Sequence, residues 1–63
     1  MAEYRCYLLD GIGAIRGVEA MACDGDDRAV ARARELLARR PEFSGFEVWQ
    51  RNRRVHVEEP AIP

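Results

Sequence analysis

The clearest constraint in this 63-residue chain is one central stretch with helical spacing. Ala29, Val30, Ala33, Leu36 and Leu37 fall at i, i+1, i+4, i+7 and i+8, which is one apolar stripe along a helix. Arg28, Arg32, Glu35 and Arg39 occupy the other side. The stretch also has marked ends. Asp24 suits an N-cap, Asp26 and Asp27 put negative charge on the first turn, and Arg39 and Arg40 put positive charge on the last. Pro41 cannot continue the helix and disfavours helical geometry at Arg40. An amphipathic helix this short needs an apolar surface to lie on. The flanking segments must supply it.

Both flanks have the two-residue period of strands. In residues 3–10, Tyr4, Cys6 and Leu8 alternate with Arg5, Tyr7 and Leu9. Asp10-Gly11-Ile12-Gly13 follows, with two glycines to supply positive φ in a reversal. Residues 15–22 form a second strand, with Val18, Ala20 and Ala22 on even positions and Ile15, Glu19 and Met21 on odd ones. After the helix, residues 46–50 and 55–58 read as two more strands, with Arg51 to Arg54 turning between them and Asn52 as the positive-φ residue. Pairing Val48 with Val55 also pairs Phe46 with Val57. The prediction is a β-β-α-β-β chain: an α+β, two-layer domain with a four-stranded, mainly antiparallel sheet and one helix on one face. It is one domain over 1–63, with its core in 3–58 and a fraying tail over 59–63, where Pro60 and Pro63 remove ladder donors.

Composition then excludes chemistries. Ten basic and eleven acidic residues give a net charge of -1, so no global field favours nucleic acid or an acidic membrane. There is no Lys for a Schiff base, and the only Ser, Ser44, sits in a Pro-Glu-Phe-Ser-Gly connector where turn chemistry explains it. Gly11-x-Gly13-x-x-x-Gly17 does not match a nucleotide-binding loop, and a strand follows it. Cys6 and Cys23 are too few for a disulfide scaffold, and with His56 they form no convergent metal set. Cys6 reads as a small core hydrophobe. Cys23, at a strand end beside the helix start, is the one thiol to consider for redox or ligand chemistry. No apolar leader and no membrane-length apolar run are present, so the expectation is a cytoplasmic protein with free thiols.

One helix covers only one sheet face. The core face should hold Tyr4, Cys6, Leu8, Val18, Ala20, Ala22, Phe46, Val48, Val55 and Val57. The open face should hold Arg5, Tyr7 and Leu9, then Ile15, Glu19 and Met21, then Glu47 and Trp49, then Arg54, His56 and Glu58. Clustered Trp, Tyr, Met and Arg on an uncovered face point to an interface. The expected contact residues are Arg5, Tyr7, Leu9, Ile15, Met21, Trp49 and His56, with Trp49, Tyr7, Leu9 and Met21 as anchors and Arg5 and Glu19 as rim charges. A homodimer is the simplest partner, and another protein the next. The plain alternative is that Tyr7 and Trp49 only shield their cross-strand neighbours under Arg stems.

Two other readings compete. Arg51, Arg53 and Arg54 make a basic hairpin tip that, with Trp49, suits a nucleic-acid backbone and a stacked base. That tip should lie near the helix start, where Asp24, Asp26 and Asp27 would cancel its field or tether it. His56 has Glu58 at i+2 to orient it, but a flat sheet gives no pocket. No catalytic, cofactor-binding or metal-binding residues are expected, and no cofactor.

The segments Tyr4-Arg5-Cys6-Tyr7, Gly13 with Ile15, Cys23-Asp24-Gly25-Asp26-Asp27 opening an Ala- and Arg-rich helix, and Phe46-Glu47-Val48-Trp49-Gln50 with Arg53 and Val55 resemble a family of short uncharacterised alphaproteobacterial proteins. The resemblance spans nearly the whole chain. It implies a cytoplasmic bacterial protein with a ββαββ fold and no catalytic residues.

Overall fold

A computed structural model describes residues 1–59. The chain forms β1 (Ala2–Leu9), β2 (Ile15–Cys23), α1 (Asp26–Arg39), β3 (Gly45–Gln50) and β4 (Arg53–Glu58). The strands make one sheet in the order β2-β1-β3-β4, and every pairing is antiparallel. The helix lies on one face, so the two-layer α+β prediction holds. Its Pro60–Pro63 tail lies outside the described residues, and Glu59 is exposed and outside the last strand.

The helix stripe packs as its spacing requires. Ala29 and Ala33 are fully buried, and their small side chains let the helix approach the sheet closely. Val30, Leu36 and Leu37 pack around them against Tyr4, Cys6, Leu8, Phe46 and Val48. The N-cap is Gly25 rather than Asp24, and no side chain caps the helix start. The Asp26 carboxylate is held elsewhere, by Tyr4 and Arg53. Phe43, in the connector after the helix, also joins the core. Gly17 leaves it room, because a Cβ there would stand 3.2 Å from the Phe43 ring.

Both turns differ from expectation in detail. Between β1 and β2 only Gly13 has positive φ, at 87°. Asp10 organises this turn, its Oδ1 accepting from the Ile12 and Ala14 amides and its Oδ2 from Arg16 Nε. Between β3 and β4 the positive-φ residue is Arg51, at 55°, rather than Asn52.

The larger difference is one of parity, and it has the same cause in two strands. From the β1–β2 turn Leu9 pairs with Ile15, and a regular ladder would next pair Leu8 with Arg16. A bulge makes Arg16 the extra residue, so Leu8 pairs with Gly17, Tyr7 with Val18, Arg5 with Ala20 and Tyr4 with Met21. One inserted residue turns the rest of the strand over. Met21 and Cys23 therefore join the core, and Glu19 faces the helix side opposite Cys6. Val18, Ala20 and Ala22 face away. In β4 the ladder is regular from Gln50–Arg53 through Trp49–Arg54, and then Val55 is the extra residue. Val48 pairs with His56 and Phe46 with Glu58, so these two lie on the helix side and Val57 turns outward. Val55 still packs against the core.

Candidate functional site

The three ladders define the open face row by row. Ala20, Arg5, Trp49 and Arg54 form one row across β2, β1, β3 and β4, and Val18, Tyr7, Glu47 and Val57 form the next. Ile15, Leu9 and Gly45 close one end, and Ala22 with Glu3 the other. Of the expected contact residues, Arg5, Tyr7, Leu9, Ile15 and Trp49 are brought together here. Met21 and His56 are not: the bulges place Met21 in the core and His56 under the helix side. Glu19 leaves the face with Met21, and Glu58 with His56.

The residues that sequence parity missed are Val18, Ala20, Ala22 and Val57. Ile15 is 56% exposed and Val18 54%, with Ala20 and Ala22 also exposed along the same edge strand. Tyr7, Trp49 and Val57 are half-buried beside them, and Leu9 is buried at the end of β1, outside the helix-side cluster. One signal was Gly17, since glycine inside a strand often marks a bulge. No comparable residue marks the bulge at Val55.

The face is apolar along β2 and mixed toward the centre. Its charges are Glu3, Arg5, Glu47 and Arg54, which sum to zero. The Trp49 indole donates to Glu47 Oε1 at 2.9 Å, so both side chains are held in place. Among the described residues, neither sheet edge is an open template for another strand. Each edge strand carries its bulge and an inward-pointing carboxylate, Glu19 on β2 and Glu58 on β4, and both features blunt edge pairing.

The basic tip divides. Arg53 is engaged in a bidentate pair with Asp26 at 3.0 and 3.1 Å, and Tyr4 Oη donates to the same carboxylate at 2.8 Å. The tethering of hairpin tip to helix start is therefore realised. The Arg53 hydrogen bonds, with help from Tyr4, hold the Asp26 carboxyl below its ordinary range, and Asp26 raises both Arg53 and the Tyr4 hydroxyl. Arg51 is exposed in the turn, while Arg54 faces the open side beside Trp49.

His56 lines a shallow groove of about 580 Å³ between α1 and β4, with Asp27, Val30, Arg34 and Val55. Its ring leans on Phe46 at 5.6 Å, and its Nε2 lies 3.5 Å from a Glu58 oxygen that Arg34 also contacts. Cys6 and Cys23 are both free and buried. Burial, reinforced by Glu19, pushes the Cys6 thiol up to about 11. The two cysteines share the helix side but pair with Glu19 and Ala2, four residues apart along the ladder, or roughly 13 Å. Among the described residues, no group of three or more His, Cys, Asp or Glu side chains is placed to hold a metal, and no helix is long and apolar enough to cross a membrane. No protein-family model, curated protein or solved structure matches the chain.

Proposed function

We propose that the chain is a non-enzymatic interaction module that self-associates through the open sheet face. The observation that carries this is the exposed strip Ile15, Val18, Ala20 and Ala22, continuous with Tyr7, Trp49 and Val57. A contiguous apolar face is a contact site far more often than single exposed apolar residues are. The parity correction strengthens the reading. It takes Glu19, Glu58 and His56 off the face together with the expected anchor Met21, and adds Val18, Ala20, Ala22 and Val57, a net exchange of polar for aliphatic surface. A second copy suits this surface because the face has no net charge to direct it toward an acidic or basic partner. Four strands at ~4.8 Å spacing and about seven residues at ~3.3 Å give a face of roughly 440 Å². Two such faces together give about 880 Å², below the ~1,000 Å² of a tight specific interface, so the contact expected is a weak, reversible one. Association also adds burial to a core that a chain this short keeps thin.

The test is the sedimentation mass of wild type against Trp49→Arg. Wild type is expected at twice the chain mass in the micromolar range and the variant at the chain mass. A wild-type monomer at high micromolar concentration refutes the reading.

A second reading rests on the row Arg5–Trp49–Arg54, in which an indole lies between two guanidinium-bearing positions. Such a row suits single-stranded nucleic acid, with Arg51 as a further backbone contact and Arg53 withdrawn by Asp26. Titration with single-stranded oligonucleotides at two salt concentrations tests it, and binding without salt dependence, or none, dismisses it.

A further inference from the structure

The centre of the open face is a block of four side chains: Arg5 and Tyr7 on β1, and Trp49 and Glu47 on the neighbouring β3. Arg5 lies across from Trp49, and Tyr7 across from Glu47. Two copies meeting face to face about a two-fold axis have two aligned arrangements. With the axis along the strands, β1 of one copy covers β3 of the other. With the axis across the strands, each strand covers its own equivalent.

We infer that the two copies dock with the two-fold axis along the strands, between β1 and β3, so that Arg5 covers Trp49 of the second copy and Tyr7 covers its Glu47. This rests on the self-association proposed above and specifies its geometry. The choice follows from what each arrangement does to the buried polar groups. Along the strands, each guanidinium meets an indole face, which attracts cations. Each Glu47 carboxylate keeps its own Trp49 Nε1–H and gains the phenolic O–H of Tyr7, so desolvation leaves it with two donors. Val18 meets Val57, while Leu9 and Gly45, both already buried within the chain, add no contact. Arg54 reaches over Ala20 at the rim, where its charge keeps access to water.

Across the strands, Arg5 covers the Tyr7 ring of the second copy, which is favourable, but Glu47 loses by the exchange. The Glu47 carboxylate is pressed onto the indole of the second copy, whose face carries negative quadrupole density. Arg54 is set over Val57. The sheet's own residues therefore select one of the two axes by electrostatics, and their sizes agree. The small side of the face, with Ala20 and Val18 on β2, meets the side carrying Arg54 and Val57 on β4.

Chemical cross-linking separates the two axes. Facing sheets stand ~10 Å apart, so a bis-maleimide spanning about 8 Å links cysteines at facing positions. Val18 and Val57 in one chain are three strand spacings apart, about 14 Å, beyond that reach. Val18→Cys and Val57→Cys are made singly, and each is treated alone and as a mixture. Ala20→Cys with Arg54→Cys gives a second pair at exposed positions, where substitutions perturb folding least. Wild type, whose two thiols are buried, sets the baseline. The expected result is a covalent dimer in each mixture, mapped by mass spectrometry to 18–57 and 20–54, with little from any single variant. A dimeric mass with linkage in the Val18→Cys or Ala20→Cys variants alone overturns the axis and leaves self-association standing. A dimeric mass with no linkage at these positions also overturns the axis. A monomeric mass overturns both.

Discussion

Met21 and Val18 exchange places relative to simple alternation, and that exchange has a thermodynamic consequence. Met21 is 8% exposed and packs in the helix-side cluster, whereas Val18 is 54% exposed on the far face. Replacing Met21 by Ala removes three heavy atoms, and at ~0.8 kcal/mol per buried methylene-sized group the transfer loss is about 2.4 kcal/mol. The residual cavity adds to this. An edge strand can close over part of it, so the total falls in the lower half of the ~2–5 kcal/mol typical of Met→Ala. Replacing Val18 by Ala removes two methyl groups that are about half-buried, a loss of ~0.7 kcal/mol on the same scale. The gap is about 2 kcal/mol. For a chain this size total stability is only ~3–9 kcal/mol, so the gap is large.

The measurement is urea or thermal unfolding of both variants in the Trp49→Arg background, which removes any contribution from association. At ~4–8 °C per kcal/mol, Met21→Ala should unfold roughly 8–16 °C below Val18→Ala. If Val18→Ala is as destabilising as Met21→Ala, the bulge at Arg16 is absent and the strand faces the other way. The proposed contact surface would then lose its aliphatic strip.

Other consequences are open to simple tests. The Asp26 carboxyl is held low by Arg53 and then by Tyr4, so its stabilisation is present above the ordinary carboxylate range and is lost as pH falls through the lowered folded value. Asp26→Asn should flatten the acid limb of stability against pH, and an unchanged limb would show that the clasp does not form in solution. The Cys6 thiol, pushed up to about 11 and buried, should resist a thiol reagent at pH 8 in the native protein and react after unfolding, with absorbance titration as the readout. Arg51 holds φ at 55°, a conformation that penalises a side chain, so Arg51→Gly should raise stability by about 0.5–1 kcal/mol in urea unfolding. A loss instead would mean that the Arg51 side chain contributes more than the turn strain.

The order of elements, the helix stripe and the inward sides of β1 and β3 were legible because each rests on a local period. Tyr4, Cys6 and Leu8 alternate without interruption, and β3 inherits its face from Phe46 and Val48. In the second hairpin the register was also correct as far as its first two pairs, Gln50 with Arg53 and Trp49 with Arg54. What alternation does not carry is an inserted residue. A bulge changes no composition, and past it the reading runs on with every side chain on the wrong face. In β2 the volumes held a clue, since Met21 and Cys23 fill space under a helix better than Ala20 and Ala22. In β4 the competing assignments were nearly balanced. Val57 fits either face, and Glu58 on the helix side stays partly solvated and has Arg34 within 3.2 Å. That partner is set by tertiary packing and is invisible from within the strand.

The two bulges act on edges and faces together. Each turns a glutamate inward on an edge strand: Glu58 beside Arg34 and His56, and Glu19 beside buried Cys6. An incoming strand would have to follow a kinked ladder and crowd a carboxylate, so strand addition at either edge is disfavoured. The same turnover moves Val18, Ala20, Ala22 and Val57 to the open face, which becomes less polar as the edges become less receptive. A regular ladder would do the reverse, with flatter edges and Glu19, His56 and Glu58 scattered across the face. Against extended aggregation, a finite face that closes about a two-fold axis is the safer place for apolar surface, because a closed contact leaves no template for a third copy.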